Sequence, residues 1–121
     1  MDVFAMETML IPPMRRALVN IGLAFEVPRG YEIQVRPKSG LALKEGITVL
    51  NTPGTLDSNY RGELGVVLIN HSSRSYLVEK GKKIAQIVLQ RVEEIKFKEV
   101  KTLKETTRGA GGFGSTGLHK K

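Results

Sequence analysis

Apolar residues recur at every second position over residues 17–27, as Ala17, Val19, Ile21, Leu23, Phe25 and Val27. That period puts one apolar face on an extended strand and would scatter the same side chains around a helix. Pro28, Arg29 and Gly30 interrupt it. Tyr31, Ile33 and Val35 then resume the alternation against Glu32, Gln34 and Arg36, the pattern of a hairpin with a short turn. Further strands are expected at 47–50, 64–69, 76–78, 84–89 and 95–100, separated by clusters of Gly, Pro, Asn and Ser. Helical periodicity is nearly absent. Only Ser39–Glu45 suits a helical turn, with Ser39 as its cap and Gly46 as its stop. Many short strands at this spacing predict an all-β fold, a sandwich, jelly roll or closed barrel.

From Lys101 the pattern gives way to Lys, Thr and Gly, with five glycines between Gly109 and Gly117. The expected organisation is therefore a β domain over 1–100 followed by a flexible arm over 101–121. A Gly-rich end is commonly a disordered terminus, yet Arg108, Phe113, Ser115 and Thr116 are unexpected in a mere spacer.

Composition narrows the function classes. At 121 residues, with 40% hydrophobic and 26% charged residues, the chain suits one globular domain with a single core. The absence of cysteine excludes disulfides, thiolate metal sites and cysteine nucleophiles, and fits a reducing compartment, so the cytoplasm is the expected location. No apolar run approaches the roughly 18 residues of a membrane span, and the start lacks the look of a signal peptide. Nineteen Lys and Arg against twelve Asp and Glu give a net charge of +7, which favours anionic partners without choosing among them. Basic side chains that merely solvate a surface explain the charge equally well.

Several motifs fail on context. Gly112, Gly114 and Gly117 satisfy G-x-G-x-x-G, but a dinucleotide fold needs a strand before it and a helix after it, and only four residues follow. The same stretch has phosphate-loop spacing, yet Leu118 stands where the lysine belongs. His71 and His119, the only histidines, have no carboxylates at metal-ligand spacing. The seven aromatic residues do not interleave with basic ones as stacking platforms for single strands require, so nucleic acid is not the expected partner. A glycine-rich segment with an arginine still suits phosphate, because unhindered N–H groups close around oxygens while Arg supplies bidentate charge.

Four segments in order resemble the trimeric dUTPase family: residues 37–42 (PKSGLA), 51–63 (NTPGTLDSNYRGE), 81–86 (GKKIAQ) and 108–117 (RGAGGFGSTG). A fifth, the family's first motif, survives as Met1-Asp2-Val3, although a further strand usually precedes it in the family and Met1 abuts it here. The resemblance implies a jelly-roll-like subunit, a homotrimer whose sites are shared among subunits, and an arm that closes over a site. It implies hydrolysis of dUTP to dUMP and pyrophosphate, which limits uracil incorporation into DNA and supplies dUMP for dTMP synthesis.

The resemblance assigns roles to particular residues. Asp57 matches the base that activates the water attacking the α-phosphorus, a task suited to an ionised carboxylate; a turn aspartate is the competing reading. Tyr60 matches the ring that packs on deoxyribose, and by itself it would read as a half-buried strand tyrosine. Asn51 matches the amide that reads the uracil edge, with Thr55 and Leu56 beside it. Lys38, Ser39, Gly40 and Gln86 match phosphate contacts, although the family commonly has arginine at the position of Lys38, and Ser39 suits a helix cap equally. Arg108, Gly114, Ser115 and Thr116 match contacts of the arm to the γ-phosphate, and Phe113 the ring that stacks on uracil. Mg²⁺ is the implied cofactor, held mainly by the three phosphates, with Asp2 nearby and no protein ligand assigned. Two other functions share parts of this pattern, a dCTP deaminase-like enzyme and a nucleotide-binding module without turnover.

Overall fold

The computed structural model describes residues 1–120; residue 121, the last of the expected arm, lies outside the described residues. Nine strands and one helix follow in chain order: β1 (Asp2–Phe4), β2 (Met9–Ile11), β3 (Arg16–Ala24), β4 (Tyr31–Arg36), α1 (Ser39–Glu45), β5 (Ile47–Val49), β6 (Gly54–Leu56), β7 (Glu63–Asn70), β8 (Tyr76–Val78) and β9 (Lys83–Arg91). They form three antiparallel sheets, of order β1-β9-β4-β6, β3-β7-β5 and β2-β8, closed around one core as a jelly-roll-like sandwich.

Period-two patterning builds that core. On β7 every second residue is buried, Leu64, Val66, Leu68 and Asn70, and Ile33 and Val35 do the same on β4. Asn70 is the one buried polar residue among the described residues, and its amide is fully used. Its Nδ2 donates to the carbonyls of Ile11 (2.9 Å) and Arg74 (2.7 Å), while its Oδ1 accepts from the N–H and hydroxyl of Ser72. A buried amide with every group paired ties β2, β7 and the 71–75 loop together at little desolvation penalty.

Four expectations change. β3 and β4 do not form a hairpin: β3 pairs with β7, whereas β4 pairs with β6 and β9 in the other large sheet, so residues 25–30 are a crossing between sheets. The single apolar face expected over 17–27 is also broken. The β3–β7 register shifts between Asn20 and Ala24, where Gly22 has φ 74° and its N–H donates to Glu63 Oε1 at 2.7 Å. The irregularity turns Leu23 outward, half exposed. A side chain is disfavoured at Gly22 by its left-handed backbone, and a Cβ would also have to displace the Met6 side chain, 2.8 Å away.

Ser39 is the first helical residue rather than the cap. Lys38 occupies the cap position with extended backbone, and no side chain caps the helix. Gly46 does end it, at φ 67°. Lastly, 95–100 is not a strand: β9 ends at Arg91 and residues 92–100 have no ladder partner, leaving Ile95 and Phe97 almost wholly exposed. Alternation alone forms no strand without a neighbouring edge to bond. No helix among the described residues is long and apolar enough to cross a membrane.

Candidate active site

A pocket of about 150 Å³ opens where the edge of one large sheet faces the other. Val35 of β4, Val49 of β5, Leu56 of β6 and Leu64 and Val66 of β7 form its apolar wall, and Asn51, Thr55 and Tyr60 bring polar atoms to it. β6 is the outermost strand of its sheet, so among the described residues its outer main-chain N–H and C=O groups have no ladder partner, and its three residues line the pocket. Gly54 lets this strand lie close to β4, since a Cβ there would stand 3.1 Å from Val35 Cβ. Among the described residues no hydrogen bond engages the Asn51 amide. A flat heterocycle with a donor-acceptor edge suits such a slot.

The turn after β6 carries Asp57. Its Oδ1 accepts from the N–H of Asn59 (2.8 Å) and of Tyr60 (3.1 Å), which fixes the carboxylate by an Asx turn. Oδ2 has no hydrogen-bond partner among the described residues and Asp57 is exposed, so that oxygen is free to accept from a water. Asp57 does not line the apolar pocket itself. It lines an adjoining cleft of about 400 Å³ with Ser58, Tyr31 and Arg29, and Thr55 belongs to both hollows. Tyr60 is 47% exposed; its hydroxyl donates to the Glu63 carbonyl at 2.9 Å, and its ring lies over Gly62, where a Cβ would come within 2.5 Å of the phenol oxygen.

A second group gathers around Asp2. Lys38 Nζ is 2.6 Å from Asp2 Oδ1 and Lys83 Nζ is 3.2 Å from Oδ2. The Lys38 hydrogen bond first, and that of Lys83 next, hold the Asp2 carboxyl below its ordinary range. Gln86 sits opposite Asp2 in the sheet and donates to the Pro37 carbonyl at 3.1 Å, beside the exposed Ser39 and Gly40. With two lysines on one carboxylate the group keeps a net positive charge, suited to an anion. Lys83 escaped notice in the sequence because Lys82-Lys83 reads as a solvated pair.

The two groups lie apart within one chain. Leu56 pairs with Ile33 at one end of β4, so Asp57 leaves the sheet there, while Arg36 pairs with Gln86 at the other end, just before Lys38. The strand rise of about 3.3 Å per residue puts Asp57 and the Lys38 group on the order of 15–20 Å apart. The arm joins neither. Each hydrogen bond of residues 106–117 spans three positions, as from Arg108 Nε to the Gly111 carbonyl (2.6 Å) or from the Ser115 N–H to the Gly112 carbonyl (3.1 Å). Phe113 is wholly exposed at φ 51°, and Gly114, Ser115 and Thr116 are exposed beside it.

An antiparallel sandwich with a base-sized slot beside a free turn carboxylate, and a cationic group at the far sheet end, defines a β-fold protein for a small phosphorylated ligand. Residues 1–117 match the dUTPase family model, and the chain belongs to that family. It is 54% identical to the deoxyuridine 5'-triphosphate nucleotidohydrolase of Clostridium tetani, over 97% of this chain and 81% of that protein. Among solved structures, the dUTPase of Staphylococcus bacteriophage 80alpha with dUpNHpp superposes with a TM-score of 0.87 at 26% identity, covering 97% of this chain and 85% of that one. The dUTPase of phage phi11 of S. aureus, in a structure that details a structural Mg(II) ion, shares the fold at a TM-score of 0.78 and 22% identity, over 86% and 84% of the chains.

Proposed function

We propose that the protein is a dUTP diphosphatase that hydrolyses dUTP to dUMP and pyrophosphate in sites shared among the subunits of a homotrimer. The observation that carries the activity is the meeting, at residues 51–60, of an apolar slot between β4, β5, β6 and β7 that holds a free amide with a fixed carboxylate, one oxygen open, in the adjoining cleft. Uracil enters the slot, where the Asn51 amide and the main chain of Thr55 and Leu56 meet its donor-acceptor edge. Cytosine presents the reverse pattern and would leave those groups unpaired, a strong ground for rejection. Tyr60 packs on the sugar face, where a 2′-hydroxyl would collide. Asp57 Oδ2 orients a water and takes its proton as the oxygen attacks the α-phosphorus.

The separation of Asp57 from the Lys38 group supports the shared site. Phosphate contacts must lie a few ångströms from the attacked phosphorus, so Lys38, Ser39, Gly40 and Gln86 of one chain serve the Asp57 of another. The exposed Ile95, Phe97 and Leu103 supply apolar surface for such an assembly. The arm closes from a further subunit, placing Phe113 on uracil and Arg108, Gly114, Ser115 and Thr116 on the terminal phosphate, and expels water as it does.

Mg²⁺ fits as a cofactor carried on the substrate. Among the described residues no group of three or more His, Asp or Glu side chains is placed to hold a metal, and Asp2 is already engaged by two lysines. The ion would neutralise phosphate charge and fix the conformation of the triphosphate. The test is a nucleotide panel assayed for pyrophosphate with Mg²⁺ present. dUTP should far outpace UTP, dCTP and dTTP; ammonia release from dCTP, or nucleotide binding without turnover, would overturn the assignment.

A further inference from the structure

We infer that Arg61 is a positioning residue for hydrolysis, which its guanidinium serves by locking the peptide that orients Asp57; this rests on Asp57 acting as the base. Arg61 Nη1 donates to the carbonyl of Ser58 at 2.7 Å and to that of Tyr60 at 3.1 Å. The Ser58 carbonyl belongs to the same peptide unit as the Asn59 N–H, and that N–H donates to Asp57 Oδ1 at 2.8 Å. A trans peptide is planar, with its C=O and N–H pointing in opposite directions. The cation and the carboxylate therefore grip one rigid plate from its two sides.

The charges also act in concert. A guanidinium at the oxygen end and a carboxylate at the hydrogen end both lie along the peptide dipole, so each bond polarises and strengthens the other. Glu26 Oε1 stands 4.0 Å from Arg61 Nη2, a long ion pair between two exposed side chains. The far side of the turn is secured separately, by the Tyr60 hydroxyl on the Glu63 carbonyl and the ring on Gly62. Without Arg61 the 58–59 peptide loses its anchor at the oxygen end, which loosens the Asn59 N–H hold on Asp57 and leaves the Tyr60 N–H as the remaining firm donor. The carboxylate is then less sharply directed while the apolar slot, built from β4, β5, β6 and β7, stays as it is.

That division yields a specific kinetic signature. Arg61→Ala should lower kcat by about tenfold, the scale of one charge-assisted hydrogen bond, with KM for dUTP little changed. Arg61→Lys, which keeps one donor for the Ser58 carbonyl, should recover part of the loss. Because Arg61 acts through Asp57, the same Ala substitution in an Asp57→Asn background should change kcat little further, a non-additivity that a merely structural residue would not produce. Thermal unfolding of each variant, followed alongside, should be near that of the parent because the position is exposed. A wild-type kcat in Arg61→Ala, or an equal loss in both backgrounds, would overturn the proposal. A wild-type kcat in Asp57→Asn alone would sink the base assignment and this proposal with it, and that single variant identifies which reading failed.

Discussion

The loop at 51–63 and the arm at 108–117 carry most of the residues assigned to substrate, yet they are built in opposite ways. In the loop, Asp57 is held by two main-chain donors, Tyr60 by the Glu63 carbonyl and Gly62, and Ser58 by Arg61. In the arm, hydrogen bonds reach only three residues along the chain and Phe113 touches solvent on every side. The first region is pre-organised, so it can fix a water and a base before substrate arrives. On the proposed reading the second is ordered only when ligand binds, at an entropic cost that binding energy offsets, which suits a closing element rather than a chemical one.

The comparison breaks most sharply at Asp57. Asp57→Asn keeps the shape and the acceptor of the Asx turn but removes the base, so kcat should fall by about 10²–10⁴-fold while dUTP affinity changes little. Lost affinity with kcat preserved would make Asp57 a turn residue only. Tyr60→Phe is the matched control: it keeps the ring and most activity, and equal losses in both variants would indicate general damage to the loop.

Removing residues 108–121 should leave assembly intact in sedimentation while turnover falls by about 10²-fold, the scale of lost positioning and closure. Unchanged turnover would make the arm only a loose end. The smallest effect is expected at the Asp2 group. Lys38 and Lys83 lower the Asp2 pKa in the folded protein, so its contribution to stability is present above the unfolded pKa and fades as pH falls through the folded one. Asp2→Asn should therefore flatten the acid limb of a denaturation-against-pH curve and leave stability near neutral pH modestly reduced. An unaltered acid limb would show that the two lysines do not stabilise the fold through Asp2.

What the sequence made legible follows from how much signal each element carries. β4, β7 and β9 run six residues or more and all three were legible as strands, β4 to the residue and β7 and β9 to within one or two at each end. Among the three-residue strands, β5 and β8 were legible from β-branched and aromatic residues between turn clusters, whereas β1, β2 and β6 lack that signal and went unread, although Leu56 and Thr55 were already assigned to substrate. The 95–100 segment has apolar residues at strand spacing at its start but pairs with no edge of its own chain. β3 misled differently, since partner choice depends on the whole sheet order and its bulge at Gly22 is fixed by Met6 and Glu63, distant in sequence.

The site divides in the same way. The two readings of Asp57, turn residue and base, turn out to be compatible, because the Asx turn uses one carboxylate oxygen and leaves the other free. Ser39 lost its capping role to the extended backbone of Lys38, which removes that reading of its hydroxyl and leaves the phosphate role as a proposal. The clamp by Arg61 had no signal at all, since an arginine in a turn looks like a solvated charge until its carbonyl partners are seen.

The proposed sharing of the site admits a direct measurement. Asp57→Asn chains and chains lacking residues 108–121 should each be nearly inactive, whereas refolded together they would combine an intact Asp57 on one subunit with an intact arm on another. The account predicts that the mixed assemblies regain dUTP hydrolysis well above either parent, with pyrophosphate released in proportion to the fraction of mixed trimers. Mixed trimers that form in sedimentation yet remain as inactive as their parents would mean that each chain closes its own arm over its own Asp57, and would contradict it.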